Sequence, residues 1–137
     1  MQLDVPLSPA VAALFVDPQH AGKPRSGLFR HGIAGAVKNG SLVEFWIATQ
    51  EGRIVQARFE AFGCPATIAC GEWLCRWLIG REVEAAQRLT GLELADALAL
   101  PAAKRTVALV AEDALKAALA AAEDEADDGS EGERYGA

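Results

Sequence analysis

A chain of 137 residues is long enough for one domain with a single core and short for two. Its apolar fraction of 51% and charged fraction of 23% are those of an ordinary globular protein, with no run of about eighteen apolar residues to suggest a membrane span. The net charge of −6 resides in EDEADDGSEGERYGA (123–137), which holds seven acids and one arginine; the rest carries twelve of each sign, so no basic face offers itself to nucleic acid.

The first residues, MQLDVPLSPAVAALFVDP, have neither a basic start nor a long apolar core, so no export signal is expected. An odd three cysteines in such a chain point to reduced thiols and the cytoplasm. SPAVAALF (8–15) reads as a short helix with Ser8 as N-cap and Pro9 in its first turn. PQHAGKPRSG follows as a loop. LFRHGIAGAV (28–37), SLVEFWIAT (41–49) and RIVQARFEAF (53–62) read as three antiparallel strands, the last two joined by the turn QEGR (50–53). In the third, Val55, Ala57, Phe59 and Ala61 should share the apolar face, with Gln56, Arg58 and Glu60 opposite.

Beyond Gly63 the period becomes helical. PATIACGEWLCRWLIG (65–80) has only a narrow polar stripe of Thr67, Gly71, Glu72 and Arg76, which implies a central helix buried on most sides. Two short helical pieces, REVEAAQRL and GLELADALAL, precede a last helix from about Pro101 to Ala122 with Val107, Ala108, Ala111, Ala114, Leu115, Ala118 and Leu119 on one face. The expected class is α+β: a three-stranded antiparallel sheet with helices packed on one face. Residues 1–122 form the domain. The acidic segment 123–137, lacking large aliphatic residues, is expected to be disordered.

Chemistry points to the cysteines. Cys70 and Cys75 are five apart, about 140° around a helix, so they cannot grip one ion from the same segment and read as small buried apolar groups. Cys64 lies between Gly63 and Pro65, which places it at the N-cap of the central helix. There the positive end of the helix dipole favours a thiolate, the form that binds metals and attacks sulfur. It is either a functional thiolate or a plain structural cap. His20 and His31 could in principle join it around a metal, and Trp46, Trp73 and Trp77 read as core or interface anchors.

ARFEAFGCPATIA, followed by Trp77, Gly80, LPAAK (100–104) and VAEDALKAALA (110–120), resembles the iron–sulfur cluster scaffold family of IscU and the N-terminal domain of NifU, over residues 13–122. The resemblance implies the same sheet-and-helix fold. It implies an iron–sulfur cluster assembly scaffold that binds iron or a [2Fe–2S] cluster and works with a cysteine desulfurase and an Hsp70-type chaperone, without being an enzyme. By position, Cys64 matches one family cysteine. Asn39 and Ser41 stand where the family keeps a cysteine and an aspartate, and Val107 where it keeps the third cysteine. Leu100, Pro101, Ala102, Ala103 and Lys104 occupy the chaperone-recognition segment. One cysteine cannot supply the four ligands a [2Fe–2S] cluster wants, and the same shortage weakens a zinc site. Three roles therefore stay open: a non-standard scaffold or carrier, a persulfide sulfur acceptor using Cys64 as in the similarly folded SufE, or a protein that only binds the desulfurase and chaperone.

Overall fold

The computed structural model describes residues 7–126. α1 (Pro9–Val16) begins at Ser8, whose Oγ accepts from the Val11 N–H at 3.1 Å and donates to the Leu98 carbonyl at 2.7 Å. Ser8→Ala should lower stability by about 1 kcal/mol, read from urea midpoints, because a cap and a tertiary hydrogen bond are lost together.

β1 (Leu28–Ala36), β2 (Ser41–Gln50) and β3 (Arg53–Phe62) form the antiparallel meander read from the sequence. Glu51 and Gly52 turn between β2 and β3 with positive φ at both positions, the combination that suits the twist of a hairpin. α2 (Pro65–Leu78), α3 (Val83–Gln87), α4 (Gly91–Ala97) and α5 (Arg105–Ala120) follow. α2 packs on β3, and α5 packs on β1 and β2, so the larger helices cover one face of the sheet. Between the layers lie Val43, Phe45, Ile47, Phe59, Leu74, Leu78, Ala111, Ala114, Leu115 and Ala118. Every apolar residue expected on the inner face of α5 is buried. The sheet–helix gap is very narrow at Gly32, where an added Cβ would stand 2.1 Å from the Ala118 amide nitrogen.

Four differences from the sequence reading have physical causes. The sheet has four strands, in order β3-β2-β1-β4, because Asp124–Glu125 (β4) pairs with Leu28 and Phe29 on the open edge of β1. The first residues of the acidic segment thus take strand geometry, while residues 127–137 of that segment lie outside the described residues. Second, a β-bulge shifts the β2–β3 register between Ala48 and Thr49, so Ile54 turns into the core and Val55 is left 43% exposed rather than sharing the apolar face.

Third, most of the narrow stripe on α2 is covered: Thr67, Gly71 and Glu72 are buried, and of the four only Arg76 is exposed. Gly71 seats the Phe59 ring, and the loop after α1 folds over Glu72. The His20 N–H donates to Glu72 Oε1 and its ring Nδ1–H to Oε2, each at 2.8 Å, while Arg76 Nε donates to Oε2 at 2.7 Å. Burial alone would raise the Glu72 pKa, but the His20 hydrogen bonds and Arg76 outweigh it and hold the carboxyl below its usual value. A depressed folded-state pKa contributes stability above the unfolded value, and that contribution is lost as the pH falls through the folded one. Glu72→Gln should therefore cost about 2 kcal/mol at neutral pH and flatten the acid limb of stability against pH, measured by urea unfolding in a pH series.

Fourth, the sheet face away from the helices is not simply polar. Glu44 is fully buried there, paired to His31 Nε2 at 2.6 Å, and His31 stacks on the buried Trp46. Among the described residues no helix is long and apolar enough to cross a membrane.

Candidate functional site

Four chain segments meet at one end of the domain. β2 begins beside the end of β3, through the Leu42–Phe62 pair. The β1–β2 connection, a three-ten turn at Val37–Asn39 closed by Gly40, therefore abuts the β3–α2 turn: a Cβ on Gly63 would lie 3.0 Å from the Gly40 carbonyl and 2.5 Å from Thr67 Oγ1. Gly63 adopts φ 149°, a conformation side chains rarely take, so the chain reverses in one residue before α2 begins. The fourth segment is the start of α5. Val110 touches Gly35 near the end of β1, which brings the preceding turns of α5 and Lys104 toward the same end.

Cys64 is the N-cap of α2, with extended backbone (φ −73°, ψ 171°) and Pro65 behind it in the first turn. Its thiol is partly exposed. Sγ lies 3.7 Å from the buried Thr67 hydroxyl and makes no cap hydrogen bond to a backbone amide, so the first-turn amides act on it as oriented dipoles. Burial pushes the Cys64 pKa up. The Thr67 amide and hydroxyl, the Ala66 amide and the Lys104 ammonium together outweigh burial, and the thiol sits below its ordinary value. Thr67 is the residue the sequence reading missed as a partner of Cys64; its position three residues after an N-cap is the spacing at which a side chain reaches back.

The other cysteines are filler, as their spacing suggested. Cys70 and Cys75 are fully buried, and burial pushes the Cys70 thiol up to about 12 and Cys75 well above its ordinary value. Asn39 lies exposed in the β1–β2 turn and Ser41 opens β2. The Ser41 hydroxyl is buried and has no hydrogen-bond partner among the described residues. Val107 faces the core from the first turn of α5, 7% exposed. Of the segment 100–104, Leu100 is buried against the core, whereas Pro101, Ala102 and Ala103 are exposed. His20 and His31 each take up a buried glutamate instead of joining Cys64, and no group of three His, Cys, Asp or Glu that could hold a metal ion occurs among the described residues. The donor set among the described residues therefore does not fit a cluster or zinc without donors from elsewhere.

The signature of the NifU-like N terminal domain matches residues 7–127, which takes in every described residue. The chain belongs to the NifU-like N terminal domain family. The iron-sulfur cluster assembly enzyme IscU of Drosophila melanogaster is 38% identical over 90 residues, covering 65% of this chain and 58% of its own length. The iron-sulfur cluster assembly scaffold protein IscU of Escherichia coli is 36% identical over 90 residues, 65% of this chain and 70% of its own length. The solved structure of FiSufU, a SUF-system protein from Fervidobacterium islandicum, matches with a TM-score of 0.67 at 15% identity, over 82% of this chain and 95% of that one. At that identity the structural match speaks for the fold, which is the antiparallel sheet with helices described above. This NifU-like domain keeps the family fold with a single thiol at the site end.

Proposed function

We propose that this domain serves iron–sulfur cluster assembly as a scaffold-type binding protein, taking iron or a cluster as cargo through Cys64 while donors from outside the chain complete the ligand set. One observation carries this reading: at the position where the resemblance aligns a family ligand, the chain presents a partly exposed thiol at a helix N-terminus with its pKa lowered. The names of the relatives, an assembly enzyme and an assembly scaffold, support the process. The exposed Pro101, Ala102 and Ala103 suit recognition by an Hsp70-type chaperone, with a cysteine desulfurase as the sulfur source. Anaerobic reconstitution with ferric iron, sulfide and an added thiol should give visible absorption that Cys64→Ser lacks; colourless protein in both cases overturns the proposal.

A second reading is favoured by the shortage of ligands around Cys64. A single thiolate is enough to accept sulfur: it attacks the terminal sulfur of a donor's persulfide, the new S–S bond forms on Cys64, and the donor leaves as its thiolate. Incubation with a cysteine desulfurase and cysteine should then add one sulfur to the intact mass, located on Cys64. If neither iron nor sulfur is taken up but a desulfurase still binds, the domain acts only through its partners.

A further inference from the structure

β3 is one of the two outer strands of the sheet, and its free edge is closed in two places. At one end residues 80–83 bond to Gly52 and Ile54. Further along, the loop after α1 bonds at Phe59, whose N–H donates to the His20 carbonyl at 3.1 Å and whose carbonyl accepts from the Gly22 N–H at 2.7 Å. Gly22 then turns the loop off the edge at φ 113°, and Arg58 fixes it there by donating to the Gly22 and Ala21 carbonyls at 2.7 Å. Because Phe59 directs both main-chain groups outward, Ala61, two residues on, does the same; its pairing with Val43 is the kind without hydrogen bonds. Neither the Ala61 N–H nor its carbonyl finds a partner among the described residues.

This stretch floors an apolar groove of about 630 Å³ walled by Pro18, Ala21, Val37, Phe62 and Ile68. Phe62 is 48% exposed. At one end two of these walls bracket Cys64 along the chain, which follows Phe62 by two residues and precedes Ile68 by one helical turn. At that end Lys38 and Lys104 have no ion-pair partner among the described residues.

We propose that this edge receives an extended segment of a partner protein, added as one more strand beside β3, apolar at alternate residues and acidic where it reaches Cys64. An outward N–H and carbonyl on one residue are met together by another main chain in extended form. The apolar walls accept alternate side chains, and the two unpaired lysines complement acid at the Cys64 end. The docking does not depend on the chemistry assigned to Cys64; that chemistry decides only what the partner delivers.

The test uses two acetylated, amidated peptides, Thr-Val-Thr-Val-Asp-Asp and its reverse, titrated into the isotope-labelled full chain and followed by NMR. Saturable shifts at Ala61, Phe62 and Ile68 are expected with one of them, together with slowed exchange of the Ala61 amide. Ala61→Pro removes the outward N–H, which donates nothing to β2, and an edge strand tolerates proline; it should melt within a few degrees of the parent and bind at least ten-fold more weakly. Phe62→Glu, on the exposed wall, should weaken binding similarly without touching the backbone. No saturable shift at Ala61 up to millimolar peptide overturns the proposal, as does undiminished binding by both variants. Concentration-dependent self-association that Ala61→Pro abolishes would assign the edge to a second copy and overturn it too.

Discussion

Cys64→Ser should abolish iron and sulfur loading, whereas Cys70→Ala and Cys75→Ala should leave loading at the parent level. The contrast follows from where each sulfur sits. Cys64 is partly exposed at the start of α2, with the Thr67 and Ala66 amides and Lys104 holding its pKa down against burial. Serine keeps the size and the cap position but offers an alcohol in place of a soft thiolate, which removes the chemistry and spares the fold. Cys70 and Cys75 are sealed in the core, and burial keeps both protonated at neutral pH. Their loss should appear as a stability deficit of about 1 kcal/mol from the vacated sulfur. Metal analysis, visible absorption and intact mass on the three variants give the comparison. Loading retained by Cys64→Ser would place the chemistry elsewhere.

Gly32→Val should produce the largest loss of stability of any single substitution considered. β1 and α5 meet at Gly32, where a Cβ would lie 2.1 Å from the Ala118 nitrogen, 2.6 Å from the Ala114 carbonyl oxygen and 2.7 Å from the Ala117 carbonyl carbon. All three are backbone atoms of one helix, so no side-chain rotation relieves the clash and α5 must lift off the sheet. The buried Ala111, Ala114 and Ala118 allow this approach from the helix side. Lifting the helix opens the layer that holds Leu115 and Phe45, at an expected cost of more than about 4 kcal/mol, a large share of a domain's stability. Val55→Ala at the exposed bulge should stay within about 0.5 kcal/mol. Thermal and urea unfolding separate the two; a Gly32→Val protein as stable as the parent would mean the sheet and α5 are not this close.

Much of this arrangement was legible in the order of residues. The alternation in β3 beyond the bulge, the Ser8 cap, the apolar face of α5 and the Gly-Cys-Pro turn follow from local rules that tertiary packing did not override. What escaped has one physical character: it depends on contacts between distant segments. β4 forms from Asp124 and Glu125, residues with little intrinsic strand preference, because the open edge of β1 supplies hydrogen-bonding groups. Glu72 read as part of a polar stripe because nothing local shows that His20, fifty-two residues before it, closes over it. Val55 turned outward because a bulge in the β2–β3 pairing moves the register by one. At the site, the position of Cys64 was readable from three residues, whereas the influence of Lys104 on it required the fold.

The most direct test of the account is alkylation of the native protein by iodoacetamide across a pH series, with peptide mapping of the modified sites. One equivalent of label is expected, all on Cys64, with a titration midpoint below that of an unperturbed thiol, and label on Cys70 and Cys75 only after unfolding. A Cys64 that reacts no faster than the two buried cysteines, or only above the ordinary thiol range, would contradict it.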